Sequence, residues 1–237
     1  YDFRLVARAG AGNAATNTVP LRIDNRPPVV TLSNLSDGAF VGGVREFRGR
    51  VTDDVLVETR IRAGSNLANM VTLASQTTPE IFGSLATWHT LALSNGPAVV
   101  EIVARDALGH VYSNLLDVTV DNVVPTITVQ TSTSIFDPAF RSWTAAFTIS
   151  EIATVVATIR TDGGTTVRVV LRSNASSPAD AITWSGRTVG GVRLPDGSYE
   201  VELFAEDRAG NVSRSTTLFV ALATDVEPPV TILTASR

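Results

Sequence analysis

One short phrase occurs three times in this chain. Residues 204–211 read FAEDRAGN, residues 103–110 read VARDALGH, and residues 6–13 read VARAGAGN. Aligned on Gly12, Gly109 and Gly210, the copies stand about 100 residues apart, a domain period and longer than a solenoid repeat. The likeness continues on both sides. Upstream, YDFRLVA (1–7), AVVEIVA (98–104) and YEVELFA (199–205) share one pattern. Downstream, each copy reaches an acidic residue just before a proline: DNRPPVVTL (24–32), DNVVPTITV (121–129) and DVEPPVTIL (225–233). Asp24, Asp121 and Asp225 hold the same place in the three linkers. Boundaries drawn there give complete repeats over 26–123 and 124–226. Residues 1–25 then read as the end of an earlier copy, and 227–237 as the first strand of a later one.

Each repeat is patterned for strands. In YEVELFAED, Tyr199, Val201, Leu203 and Ala205 alternate with Glu200, Glu202 and Glu206, so apolar side chains share one face and charged ones the other. The other copies keep the phase: Tyr1, Phe3, Leu5 and Ala7 in one, Ala98, Val100, Ile102 and Ala104 in the other. Further β-rich runs predict strands near 28–33, 44–52, 56–62, 69–74, 85–93, 98–106 and 113–121 in the first complete repeat. In the second they fall near 126–131, 143–150, 154–161, 165–172, 181–185, 198–206 and 213–222. Turn residues separate them in SDGAF, SNGP, TDGG and LPDGS, and no segment has a helical period. About seven short strands in about 100 residues predict an all-β fold of tandem antiparallel sandwiches of immunoglobulin type. The repeated octet is then the end of one core strand and the turn into the next. Asp207 is placed to fold its carboxylate onto the turn's N–H groups. Gly210 suits a positive φ, and Asn211 tolerates the left-handed region.

The frame Y-x-V-x-L-x-A-x-D-x-A-G-N at 199–211 resembles the last hairpin (strands F and G) of bacterial Ig-like repeats from secreted and cell-surface proteins, and fibronectin type III modules share a similar frame. The longer stretch 183–213 resembles the Ig-like domain of flagellar hook-capping proteins and of cell-surface sorting modules. In that pattern a Trp, a Gly pair and a PDG-x-Y turn lead into the core strand, matching Trp184, Gly190, Gly191, Pro195, Asp196, Gly197 and Tyr199. The first complete repeat keeps Trp88 but has SNGPA at 94–98 in place of that turn. The resemblance speaks for fold more than for function, since such modules serve many proteins.

Composition narrows the chemistry. The chain has no cysteine and two histidines, His89 and His110, which excludes disulfides, thiolate metal sites and a histidine-rich zinc site. A net charge of −4 argues against a nucleic-acid partner. No run of about 18 apolar residues is present, so direct membrane insertion is not expected. No nucleophile elbow or other catalytic context surrounds the Ser, Asp and His residues, and the chain is expected not to be an enzyme. Trp88 and Trp184 hold matching positions and read as core; Trp143 can be read as core or surface. Asn34, Asn174 and Asn211 lie in N-x-S/T frames, which matter only in a glycosylating secretory route.

The junction acids are the sharpest functional lead. Asp24, Asn25, Asp121, Asn122, Asp225 and Glu227 sit in the linkers, while Asp53, Asp54 and Glu151 follow the second strand of their repeats at one end of the sandwich. A DN-x-P linker resembles the calcium-holding junctions of cadherin-like repeats. Calcium takes about six to eight oxygens, more than the two or three acids at each junction supply; the competing reading is a polar linker with an Asx turn before proline. The expected function is a non-enzymatic spacer of tandem Ig-like repeats in a large bacterial extracellular or cell-surface protein: an adhesin stalk, a surface-layer or a filament component. The alternatives are accessory modules of a secreted multidomain enzyme, or a glycan- or protein-binding module. Expected partners are neighbouring Ig-like domains of the same chain, other copies in a surface assembly, or a host or cell-surface ligand.

Overall fold

Where the sequence alternates over seven or more residues, strand follows, because alternate side chains of an extended chain face opposite ways. The computed structural model describes residues 1–21, 23–77, 80–176 and 179–224. A first hairpin pairs β1 (Asp2–Arg8) with β2 (Ala14–Pro20). The first complete repeat follows with β3 (Val29–Leu32), β4 (Ala39–Val41), β5 (Val44–Thr52), β6 (Leu56–Gly64), β7 (Val71–Gln76), β8 (Glu80–His89), β9 (Gly96–Asp106) and β10 (Val111–Val120). The second has β11 (Ile127–Ser132), β12 (Ile135–Phe136), β13 (Trp143–Ile149), β14 (Ala153–Thr161), β15 (Thr166–Ala175), β16 (Asp180–Trp184), β17 (Gly197–Asp207) and β18 (Thr216–Leu222). Each repeat thus shows the seven expected strands and one short extra, β4 and β12. The extra strands went unread because they are only three and two residues long, and Ala39 and Phe40 lie in the SDGAF stretch read as a turn. One short 3-10 turn, Leu67–Asn69, is capped by Asn66, whose side chain accepts from the Ala68 and Asn69 N–H groups.

By contact the chain divides into two compact units. Residues 1–39, 44–89 and 97–118 form the first, and 40–43, 90–96 and 119 onward form the second. The first holds the β1–β2 hairpin, the sheet β3-β5-β8 and most of the sheet β4-β10-β9-β6-β7. Its buried residues are the inward halves of the alternating strands: Phe47 and Val51 of β5, Ile61 of β6, Leu85 and Trp88 of β8, Val100 and Ile102 of β9. The Phe47 and Trp88 rings lie 6.2 Å apart.

The second unit holds the sheets β11-β13-β16 and β12-β18-β17-β14-β15. One core cluster draws on both, from Trp143, Phe147 and Trp184 on one side to Val155, Ile159, Val201, Leu203 and Leu222 on the other. Trp143 is fully buried, which settles its two readings in favour of the core, and it faces Trp184 across β13 and β16. The Trp184 ring meets Phe136 at 5.9 Å and Tyr199 at 5.5 Å, both edge to face. The PDG-x-Y turn has a mechanical reason: the Tyr199 hydroxyl donates to the Pro195 carbonyl at 2.8 Å. That bond ties the start of β17 to the turn before it, as in the tyrosine corner of immunoglobulin sandwiches. The chain is therefore all-β, built of tandem Ig-like sandwiches. The expected strand over 227–237 lies outside the described residues.

Candidate functional site

The repeated octet builds the same turn in each copy. At the end of β17, Asp207 Oδ1 accepts from the Ala209 N–H at 2.8 Å and the Asn211 N–H at 2.9 Å. At the end of β9, Asp106 Oδ1 accepts from the Leu108 and His110 N–H groups, each at 2.8 Å. Gly210, Gly109 and Gly12 take φ of +88°, +94° and +87°, where a Cβ would be strained. The expectation for Asn211 is corrected: among the described residues Asn174 alone of the non-glycines has a positive φ. Asn211 instead uses its side chain, with Nδ2 donating to Asp207 Oδ2 at 2.8 Å and to the Asp121 carbonyl at 2.9 Å. Its counterpart His110 sets Nδ1 2.6 Å from Asp106 Oδ2.

These turns gather two acid clusters, one inside each unit. In the second unit Asp121, Glu151 and Asp207 bring carboxylate oxygens within 4.8 Å of one another. Asp121 Oδ1 is held by the Val123 N–H at 3.0 Å and Asn95 Nδ2 at 3.4 Å. Asp207 is tied down by its turn. Glu151 has no such support: its Oε1 is buried and has no hydrogen-bond partner. Burial first, then the charges of Asp121 and Asp207, raise its carboxyl above the ordinary carboxylate value. Like charges at this spacing repel by several kcal/mol even at an effective dielectric near 20, so the cluster favours either a proton on Glu151 or a cation among the three. A pocket of about 200 Å³ opens beside them, and at its rim the Arg208 guanidinium lies 5.9 Å from the Phe40 ring centre.

In the first unit the corresponding group is Asp24, Asp106 and His110. Burial works against the charge on Asp106, but the His110 ring and the two turn N–H groups outweigh it and hold its carboxyl below the ordinary value. Asp24 Oδ1 caps the Arg26 N–H at 3.0 Å, and Asp53 Oδ1 caps the Val55 N–H at 2.8 Å. Asp24, Asp53 and Asp54 line one cleft of about 420 Å³. Asn25 is exposed. Asn122 is a structural clip: Oδ1 accepts from the Gly43 N–H at 2.9 Å and Thr90 Oγ1 at 2.8 Å, and Nδ2 donates to the Thr90 carbonyl at 3.0 Å. Asp225 and Glu227 lie outside the described residues. Of the sequence-chosen acids, then, Asp121 and Glu151 meet directly, and Asp24, Asp53 and Asp54 share a cleft. Asp106, Asp207 and His110 were missed as members, although the acid in the octet was a visible signal.

No protein-family model matches this chain, and no curated protein matches it. Solved structures do. The fibronectin(III)-like modules of Clostridium thermocellum CbhA align at 16% identity over 82% of this chain and 94% of theirs, with a TM-score of 0.51. A tetra-tandem repeat from the extending region of a large adhesion protein aligns at 22% identity, over 93% of this chain and 56% of that one, with a TM-score of 0.34. A bacterial ice-binding adhesin of 1.5 MDa aligns at 19% identity, over 95% of this chain and 74% of that one, with a TM-score of 0.30. The fold assignment takes its support from the first. Among the described residues no helix is long and apolar enough to cross a membrane.

Proposed function

We propose that this chain is a non-enzymatic spacer segment of a bacterial extracellular or cell-surface protein, in which tandem Ig-like sandwiches set reach and present other parts of the protein. The observation that carries the reading is repetition at domain spacing with separate cores. Phe47, Trp88 and Ile102 are buried in the first unit, and a distinct cluster around Phe147, Trp184 and Leu203 is buried in the second. Such a design lengthens by adding copies, because each copy hides its own apolar surface. The Pro-bearing linkers fit the role, since proline fixes φ and restricts the residue before it. Single-molecule pulling on the chain tests this. Two discrete unfolding events are expected, each releasing about 30 nm, the contour of about 100 residues at roughly 3.5 Å each less the folded length. One event releasing the sum would overturn it.

A second reading concerns the acid cluster of the second unit and rests on the carboxylates of Asp121, Glu151 and Asp207. Calcium held there would offset two of the three negative charges that otherwise repel, with water supplying oxygens the protein does not. Melting with calcium and with chelator decides it. A ligand bound to the folded state alone raises the midpoint; identical midpoints would dismiss the ion.

A further inference from the structure

The turn that leads into β9 contains the chain's one Asn-Gly pair, Asn95-Gly96. Such a pair is prone to a reaction that needs no enzyme. The backbone nitrogen of Gly96 gives up its proton and attacks Asn95 Cγ, the Cγ–Nδ2 bond breaks, and ammonia leaves. Water then opens the five-membered succinimide at either carbonyl, leaving an aspartyl or isoaspartyl residue. Glycine favours the attack because it has no Cβ to crowd the approach. Asn95 is exposed, and Gly96 has a φ of +134°, which glycine adopts freely and other residues resist. The negative charge of the addition step forms on Asn95 Oδ1. The Asn122 N–H already donates to that oxygen at 2.9 Å, and a donor fixed there stabilises a developing oxyanion.

The second repeat carries the product's side chain at the same place. Asp196-Gly197 stands where Asn95-Gly96 stands, with Gly197 at a φ of +154°. Asp196 Oδ2 accepts from the Thr224 N–H at 2.9 Å, two residues past the end of β18. Asn95 Oδ1 accepts from the Asn122 N–H two residues past the end of β10. The turn therefore accommodates a carboxylate as well as an amide, but the surroundings differ. Asp196 pairs with Arg193 at 3.2 Å. Asn95 instead has an acid beside it: its Nδ2 donates to Asp121 Oδ1 at 3.4 Å. The pocket that Asp121 borders also holds Glu151 and Asp207, against one arginine, Arg208. A carboxylate in place of the Asn95 amide removes the donor and adds a negative charge beside this acid-rich group, which the existing charges oppose. Asp121 directly precedes Asn122, whose side chain fastens Gly43 to Thr90, so the repulsion acts where that clip is anchored.

We infer that Asn95-Gly96 is a self-modifying site: in the folded chain Asn95 converts through the succinimide to an aspartyl or isoaspartyl residue, and the added charge loosens the turn that Asn122 fastens. This goes beyond the spacer reading and does not depend on calcium. The test is ageing of the whole folded chain in chelator at mildly alkaline pH, followed by peptide mapping with mass spectrometry and enzymatic detection of isoaspartate. Asn95 is expected to take on the acid mass first, about tenfold or more ahead of every other asparagine, because it alone precedes a glycine. Asn95→Gln, whose side chain would have to close a larger ring, should keep its amide. Asn95→Asp reads the consequence. Its melting midpoint at low salt should lie below wild type and rise toward it as salt screens the added charge, whereas a merely mispacked turn would leave a deficit that salt does not move. If that variant does not fold, aged protein separated by anion exchange gives the same readout. An Asn95 that keeps its amide, or converts no faster than the other asparagines, would overturn the site. A midpoint equal to wild type, or a deficit that salt leaves unchanged, would overturn the effect on the turn.

Discussion

Asp207 serves two purposes, and the first copy of the octet separates them. In that copy Ala9 stands where Asp106 and Asp207 stand, yet the hairpin still closes: the Ala9 N–H bonds the Asn13 carbonyl at 2.8 Å, and Gly12 N–H bonds Ala9 O at 3.0 Å. The turn therefore does not require a carboxylate, and where one is present it also faces the junction acids. This half of the site was hidden in the sequence, because Asp121, Glu151 and Asp207 are far apart along the chain and meet only through β13, β14 and β17. Glu151 reports the result. Its folded carboxyl value lies above the ordinary 4.5, so the stability it contributes is fully present below the ordinary value and is lost as pH rises through the raised one. With chelator present, the second repeat should become more stable as pH falls from neutral toward the ordinary carboxylate range. Glu151→Gln, which cannot ionise, should flatten that dependence and raise the midpoint measured at neutral pH. Parallel pH profiles for the two proteins would show that Glu151 is not under strain from its neighbours.

At the scale of elements, long alternating strands were legible and short ones were not. β17 keeps period two from Tyr199 to Asp207, and β9 keeps it from Ala98 to Asp106 except at Val103, which is buried between Ile102 and Ala104; the sequence placed both within two residues of their ends. β12 pairs in parallel with β18 through only two residues, and two residues carry no period. The Asn122 clip was equally unreadable, since Gly43 and Thr90 become its partners only after β5, β8 and β10 have been placed. The PDG-x-Y turn was legible as a motif, and its reason is the Tyr199 bond to Pro195. Because Tyr199 is buried, Tyr199→Phe keeps the ring contact with Trp184 and removes only that hydrogen bond. The expected cost is about 0.5–1.5 kcal/mol, read in urea as a lower midpoint with unchanged slope. A changed slope would mean that the bond also governs how completely the turn folds. The first repeat has Ala98 at this place, so its stability should not move.

At the scale of the molecule, the decisive question is whether the buried clusters behave as separate cores. A domain of about 100 residues can bury enough surface to fold by itself, and a chain of two such domains need not unfold in one step. Phe147 is fully buried in the second cluster, in the middle of β13, with the Ile149, Trp143 and Ala145 side chains of the same strand face also buried. Truncating it to alanine leaves a cavity that strands on both sides resist closing, at a cost of about 3–5 kcal/mol. If the cores are autonomous, calorimetry of Phe147→Ala should show two transitions, with one moved down by ten degrees or more and the other within a degree or so of wild type, given that about 1 kcal/mol shifts a domain of this size by about 4–8 °C. Leu85→Ala, in the first unit's core, should move the other transition and spare this one. Both transitions falling together in either variant would mean that the repeats fold as one cooperative body, and the length of the spacer could then not be changed one copy at a time.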